Sequence, residues 1–336
     1  MRIAINGCGR IGRAFLKLAL EEPQLQIVAI NDLGSLENLA YLLKHDTVYG
    51  NYDKEIKIEY PAKLIINGQE IAYLQEKDPL KLPWKDLHID VVVEATGAFE
   101  DFTKARAHIT SGAKKVIITA PAKGEEGRDG KTILLNINQK DIDKFEVISN
   151  GSCTTNAVSP VIYVLNEKLG IKKAILNTVH AYTATQNLVD AYSKDEDHLR
   201  GRAAAQNIVP STTGAAKTVT KVITDLENKF DGLALRVPVI CGSIADITFV
   251  SQKPITPQEI NDIFRTVSKE SAWQDIIGVS EKPLVSSDII KNPKPAIVDL
   301  TFTKVVDNDL VKVLIWYDNE WAYAWTIVKQ LKVLTL

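Results

Sequence analysis

"RIAINGCGRIGR", residues 2–13, runs from a β-branched apolar stretch through a glycine-rich turn into a helix-like stretch that continues to residue 22. Gly7, Gly9 and Gly12 fall in the order G-x-G-x-x-G. Alone that order says little, because glycine-rich turns are common. Between a strand and a helix it is the spacing that lets backbone approach a pyrophosphate seated at the positive end of the helix. Asp32 follows Gly12 by 20 residues, just past a second apolar run, "QIVAI" (26–30). A carboxylate in that place hydrogen-bonds the ribose hydroxyls of NAD, and its charge opposes the extra phosphate of NADP. The competing reading is a structural strand–turn–helix with a solvated aspartate.

The pattern continues outward. "DVVVEA" (90–95), "KKVIITA" (114–120) and "FEVIS" (145–149) are continuous β-branched runs, as in strands buried on both faces of a parallel sheet. "GRAFLKLALEE" (12–22) and "ENLAYLLK" (37–44) are helix-like segments between runs of this kind. The alternation predicts a doubly wound α/β domain of Rossmann type over residues 1–150. One insertion, "IKIEYPAKLIINGQEIAYL" (56–74), carries Asn67-Gly68 between β-rich runs and predicts a small antiparallel pair at the sheet edge.

After residue 150 the strands lengthen: "AILNTVHAYT" (174–183), "GLALRVPVI" (232–240), "ADITFVSQK" (245–253), "AIVDLTFTK" (296–304) and "LVKVLIWYD" (310–318). "VDNDL" (306–310) is a turn that makes the last two a hairpin. Helical segments at 159–170, 213–230 and 256–270 intervene. Residues 151–318 are therefore expected to form an α+β domain with a mostly antiparallel sheet. The last segment, about 319–336, is apolar and helix-like, and is expected to return and complete the first domain.

Composition narrows the function classes. The 336 residues suit two domains. Forty basic and 42 acidic side chains leave a net charge of −2, which gives nucleic acid or an anionic membrane no support as partners. No apolar run approaches the roughly 18 residues of a membrane span, and "MRIAINGCGRIG" does not read as a signal peptide. Cys8, Cys153 and Cys241 are odd in number and far apart. That argues against a disulfide framework or a zinc site and for a reducing, cytoplasmic setting without a bound metal.

Of the three thiols, Cys153 in "NGSCTTNAV" (150–158) follows a strand and precedes apolar residues at helical spacing. A helix N-terminus there would lower its pKa. Cys8 and Cys241 are expected to be structural. His45, His88, His108 and His198 lie in polar, loop-like or helix-surface contexts, whereas His180 lies on the strand "LNTVHAYT". On spacing alone Cys153 and His180 remain open between a thiolate–imidazolium couple and a buried thiol with an unrelated strand histidine. Arg200, Arg202, Thr212, Thr213 and Gly214 cluster in sequence, and Arg236 interrupts an apolar strand where a cation needs an anionic partner. Singly they read as caps or surface charges; together they suggest a substrate with more than one anionic group, for which phosphate fits arginine.

"NGCGRIGR", "SNGSCTTN", "HAYTATQ", "STTGAAK" and "WYDNEW" together resemble the phosphorylating glyceraldehyde-3-phosphate dehydrogenase family, in order and over essentially the whole chain. The resemblance implies that Cys153 attacks the aldehyde of glyceraldehyde 3-phosphate and that the hemithioacetal gives a hydride to NAD. It implies that His180 orients the substrate and takes the hydroxyl proton, and that inorganic phosphate releases 1,3-bisphosphoglycerate from the thioester. By motif, Arg10 and Ile11 would sit at the pyrophosphate with the three glycines. Asp32 and Leu33 mark NAD preference, Lys77 would lie at the adenine, Thr96 and Thr119 beside ribose and nicotinamide, and Asn319 at the carboxamide. Thr183 and Arg236 would grip the C3 phosphate; Ser152, Thr154, Thr213 and Gly214 would hold the attacking phosphate with Arg200 close. Segment 182–206 would reach a neighbouring subunit's cofactor site, which implies a homotetramer.

The chain also departs from the family. Gly151 replaces a usual alanine, Lys77 replaces an arginine and so loses a planar stacking face, and Ala322, Ala324 and Trp325 follow "NEW" where glycine, serine and a polar residue are usual. "YSKDED" (192–197) lacks a Leu-Pro pair, and Ser193 and Lys194 could accept a 2′-phosphate from across a subunit interface, so NADP is the alternative to NAD. The rival enzyme is erythrose-4-phosphate dehydrogenase, which hydrolyses its thioester.

Overall fold

The computed structural model describes residues 1–193 and 197–335. The chain divides into two units, Met1–Gly151 with Ala324–Leu336, and Ser152–Tyr323.

The first unit is built on strands β1 (Arg2–Asn6), β2 (Gln26–Asn31), β3 (Ile56–Glu59), β4 (Lys63–Ile66), β5 (Gln69–Leu74), β6 (Val91–Glu94), β7 (Lys115–Ile118), β8 (Lys131–Thr132) and β9 (Val147–Ser149). Helices α1 (Arg10–Ala19), α2 (Leu36–Lys44), α3 (Phe102–Ala105) and α4 (Ala107–Thr110) connect them. The sheet order is β3-β4-β5-β2-β1-β6-β7-β9-β8. From β5 to β9 every pairing is parallel, and the order of appearance reverses between β1 and β6. That reversal is where a doubly wound sheet opens a crevice at its carboxyl edge. β6 and β7 are buried at every position, as their unbroken apolar runs require. Trp84, Phe102, Val92 and Val116 fill one layer of core beside them.

Two local outcomes follow from backbone chemistry. Gly7 adopts φ 91°, which an L side chain rarely takes. Gly12 lies inside α1 but a Cβ there would overlap the carbonyl oxygen of Gly7. Gly12→Ala is therefore expected to destabilise the protein by about 1–2 kcal/mol, since a fixed carbonyl cannot swing aside and the overlap outweighs the ~1 kcal/mol gain in helix propensity. A lowered urea midpoint would show it; an unchanged or raised one would refute it.

The edge insertion holds three strands rather than the expected pair. The stretch 56–66 turns at Tyr60-Pro61, where proline cannot continue a ladder, and becomes β3 and β4. Asn67 and Gly68, both at positive φ, turn β4 back into β5. β5 then joins β2 in parallel.

Helix α8 (Trp321–Val333) joins the first unit from Ala324 onward. There Asn150 donates to the Thr326 hydroxyl at 2.7 Å and Gln330 donates to the Ile133 carbonyl at 2.6 Å.

The second unit carries β10 (Ile171–Ala181), β11 (Val209–Thr212), β12 (Phe230–Val237), β13 (Ser243–Ser251), β14 (Ile277–Ser280), β15 (Ala296–Val306) and β16 (Leu310–Tyr317). They are ordered β11-β12-β10-β13-β16-β15-β14. β10–β12 and β14–β15 are parallel and the other four pairings antiparallel. Helices α5 (Cys153–Leu169), α6 (Ala215–Val222) and α7 (Pro257–Val267) cover the sheet. β13 alternates buried and half-buried residues along its whole length, the signature of a sheet with one covered face. α5 starts at Cys153, earlier than its most regular apolar spacing, and runs through Pro160, which has no N–H to return to residue 156.

Among the described residues no helix is long and apolar enough to cross a membrane.

Candidate active site

The carboxyl ends of β1, β2 and β6 open into a cleft of about 430 Å³ in the first unit. It brings together Gly7, Gly9, Asp32, Leu33, Lys77 and Thr96, and adds Asn6, Asn31, Glu76 and Phe99, which sequence reasoning did not single out. A Cβ on Gly7 would lie 2.6 Å from the Thr96 nitrogen, so that glycine closes the floor, whereas a Cβ on Gly9 would meet nothing within 4 Å. Gly9 thus leaves open the space a pyrophosphate needs above a helix N-terminus. Asp32 is oriented by the N–H groups of Cys8 at 2.6 Å and Gly34 at 2.9 Å. The donors and the acid fit an NAD molecule. Arg10 turns away to Asp46, at 2.8 Å, with its guanidinium over the Tyr49 ring. What Arg10 and Ile11 offer an anion is main-chain N–H in the first turn of α1. Gly12 packs beneath that turn. Thr119 does not line the cleft; its N–H donates to the Glu94 carbonyl at 3.0 Å.

In the second unit, Ser152 caps α5 by accepting the Thr155 N–H at 3.0 Å. That places Cys153 in the first turn, where N–H groups lack helical partners. Its Sγ lies 3.3 Å from His180 Nε2. His180 stands opposite Arg236 in the parallel β10–β12 register. Its Nδ1 is 2.6 Å from the Ala181 carbonyl oxygen and 2.7 Å from Arg236 Nη1. Burial, followed by the Arg236 charge, pushes His180 down to about 3. Burial also pushes the Cys153 thiol up, opposed by the Arg236 charge and by hydrogen bonds from Thr154; partial exposure of the residue tempers that rise. Of the two alternatives the spacing left open, the depressed histidine speaks against an imidazolium, although thiol and ring do meet. The imidazole is neutral, and Arg236 is the cation that acts on the sulfur. Cys8 is buried and pushed up to about 12 by that burial, and Cys241 is buried beside Asp318, so neither is a nucleophile.

Arg236 Nε is buried with no hydrogen-bond partner among the described residues. The Arg200 charge reaches both Arg236 and His180, while its guanidinium bonds Ser211 at 2.9 Å and Asp197 at 3.3 Å. Two cations and a buried unfilled donor supply what an anionic partner would need. The Thr183 hydroxyl is 3.0 Å from that of Thr185. Thr213 accepts the Ala215 N–H at 3.1 Å beside Gly214, the N-cap of α6. The Thr154 hydroxyl turns 2.9 Å from Tyr317, which also meets Thr178 at 2.7 Å. Tyr317, edge-on to the His180 ring, was not anticipated; its only signal was a polar-tipped aromatic closing the strand before "DNEW". Asn319 spends its side-chain oxygen on Gly242 N–H at 3.0 Å and Ser243 at 2.9 Å, so its amide N–H₂ is the part left for a ligand. Ser193 lines a surface pocket with Asp190 and Arg202; Lys194 lies outside the described residues. His108 is fully buried, which corrects its surface reading. Among the described residues no group of three or more His, Cys, Asp or Glu could hold a metal ion.

Two family profiles match the chain. "Glyceraldehyde 3-phosphate dehydrogenase, NAD binding domain" covers residues 1–102, and the C-terminal domain of the same family covers residues 152–319. A glyceraldehyde-3-phosphate dehydrogenase of Clostridium acetobutylicum is 46% identical over 334 residues, 98% of this chain and 97% of the relative. Glyceraldehyde-3-phosphate dehydrogenase 2 of Bacillus subtilis is 44% identical over 330 residues, 98% of this chain and 95% of the relative. The Borreliella burgdorferi enzyme of that name is 44% identical over 335 residues, 98% of both. With both halves matched and the thiol, imidazole and dinucleotide cleft in place, the chain belongs to the glyceraldehyde 3-phosphate dehydrogenase family.

Proposed function

We propose that this chain oxidises glyceraldehyde 3-phosphate to 1,3-bisphosphoglycerate, with NAD as oxidant and inorganic phosphate as second substrate. The observation that carries the reading is Cys153 Sγ at 3.3 Å from His180 Nε2, in a chain of this family. The first unit is the NAD-binding domain, completed by the end of α8, and the second is the catalytic domain.

Cys153 supplies the sulfur that bonds the aldehyde carbon. The N–H groups of the first turn of α5 face the oxygen on which charge develops. NAD, when bound, accepts the hydride that this carbon loses. His180 moves the proton, and its two Nδ1 neighbours set how. An Arg236 N–H donated to Nδ1 puts the ring proton on Nε2, facing sulfur. Donation from Nδ1 to the Ala181 carbonyl instead frees Nε2 to accept a proton. An anion on Arg236 removes the competing donor and the repelling charge, so the bound C3 phosphate, held with Thr183, favours the second arrangement. Phosphate oxygen then displaces sulfur from the thioester, held near Arg200, the α6 terminus at Thr213–Gly214, and Ser152 and Thr154. Asp32 and Leu33 support NAD over NADP, and Thr96 and Lys77 add contacts from the same cleft. A carboxamide contact for Asn319 rests on the family likeness, and Thr119, outside the cleft, has no support as a contact.

Exposed Ile175, Leu233 and Phe302 on the second sheet, and Leu188, Val189 and Tyr192 in segment 182–206, support a homotetramer. A cytoplasmic location is consistent with three free thiols.

The test follows the absorbance of reduced cofactor with glyceraldehyde 3-phosphate, with NAD or NADP, with and without inorganic phosphate. Phosphate-dependent reduction of NAD, with NADP slower by about tenfold or more, is expected. Reduction indifferent to phosphate would point to a hydrolysing enzyme instead, and no reduction with either cofactor would overturn the reading.

A further inference from the structure

We propose that Glu94 is a positioning residue for the dinucleotide cleft: its buried carboxylate, braced by His108, fixes Asn6 and Thr96 in the attitude in which they meet the cofactor. The inference rests on the reading of that cleft as the NAD site.

Asn31, Asn6 and Glu94 are the last residues of β2, β1 and β6, and the parallel register sets them side by side. Glu94 and His108 are buried, at 2% and 0% exposure. One Glu94 oxygen accepts from Asn6 Nδ2 at 2.5 Å and lies 3.1 Å from His108 Nε2. The other accepts the Thr96 N–H at 2.8 Å and the Thr96 hydroxyl as well. Trp84 donates its indole N–H to His108 Nδ1 at 3.0 Å. Since Nδ1 accepts, the proton of the neutral ring lies on Nε2, aimed at Glu94. On the other side, Asn6 accepts from Asn31 Nδ2 at 2.7 Å, and Asn31 accepts the Glu76 N–H at 2.8 Å. The chain of bonds thus starts in the core at Trp84 and ends on Asn6, Asn31, Glu76 and Thr96, all of which line the cleft.

Four donors converge on two oxygens, and only a carboxylate accepts on both. A glutamine has one acceptor oxygen. Its N–H₂ would face either the Thr96 pair or the Asn6–His108 pair, donor against donor, and buried donors without acceptors are costly. A group that served stability alone would change melting and leave cofactor affinity where it was.

The experiment is calorimetric titration of NAD into the full chain, its Glu94→Gln variant and its His108→Phe variant. His108→Phe keeps a ring between Trp84 and Phe99, and removes one donor to Glu94 together with the acceptor of the Trp84 N–H. Steady-state kinetics run in parallel. Glu94→Gln is expected to raise the NAD dissociation constant about tenfold and His108→Phe about threefold. At saturating NAD, kcat and the aldehyde KM should stay within about twofold. Should Glu94→Gln fail to fold, His108→Phe decides by the same criteria. Affinity within about twofold of the parent in folded variants overturns the inference, as does an equal loss in kcat and in both KM values, which marks general loosening. A parent chain that binds no NAD overturns the cleft's reading together with this inference; a parent that binds with unaffected variants overturns this inference alone.

Discussion

Cys153→Ser is expected to abolish phosphate-dependent reduction of NAD, lowering kcat/KM by about ten-thousand-fold or more. That corresponds to about 5.5 kcal/mol of lost transition-state stabilisation. The reason is chemical. A serine hydroxyl beside a neutral imidazole has almost no oxyanion at neutral pH, whereas a thiol is intrinsically far more acidic and more nucleophilic. The Arg236 charge and the Thr154 hydrogen bonds favour its thiolate against the opposing effect of burial. The exchange is nearly isosteric, and the cap of α5 is Ser152, so the helix start survives. The NAD cleft is built from first-unit residues, and its affinity should therefore stay within about twofold. Stopped assays with calorimetric NAD titration check both halves. Residual activity above about one hundredth of the parent would remove Cys153 from the nucleophile's role.

His180→Gln is expected to lower kcat by about a hundred- to ten-thousand-fold. Glutamine can still hydrogen-bond the sulfur but cannot carry a proton. A kcat within about fivefold of the parent would assign His180 to packing. The pH dependence of the parent follows from the site's electrostatics. kcat/KM reports groups of the free enzyme. With His180 pushed down to about 3, its protonation takes nothing from the rate between pH 5 and 7. The thiol must ionise, so kcat/KM climbs with pH through the thiol's titration. Removing the Arg236 charge should shift that climb to higher pH, because the cation lowers the thiol's pKa. The same histidine weakens the fold in acid. Its folded-state pKa is depressed from 6.5 to about 3, so the unfolded chain gains protons that the folded chain refuses, and stability falls across that window.

The parallel sheet was legible because "VVVE" and "KVII" are buried on both faces and show it without alternation. The phosphate turn was legible because glycine is the residue that Gly7 and Gly12 require, one for its φ and one for its contact. β11 and β14 were not, because four-residue strands reading "VPST" and "IGVS" carry no period. Their partners β12 and β15 recruit them. In the site, Arg236 announced itself as a charge within an apolar strand. Its neighbour could not be read, since the contact with His180 is a matter of strand register. His108 misled for a related reason. It sits in a four-residue helix, "AHIT", too short for its spacing to mark a buried face, and residues that pack on it, Trp84 and Glu94, come from other parts of the chain.

The first unit is assembled from two stretches with the whole of the second unit between them, and this sets an order on its synthesis. Residues 152–323 leave the ribosome between the two parts of the first unit. At about 5–20 residues per second, that interval lasts on the order of ten to thirty seconds. Throughout it Asn150 and the Ile133 carbonyl wait for Thr326 and Gln330. The seven strands described in the second unit are all made before the last residues of α8. The half that is translated later is thus the half that can be finished earlier, and a nascent chain holds an incomplete dinucleotide domain until its final turn of helix emerges.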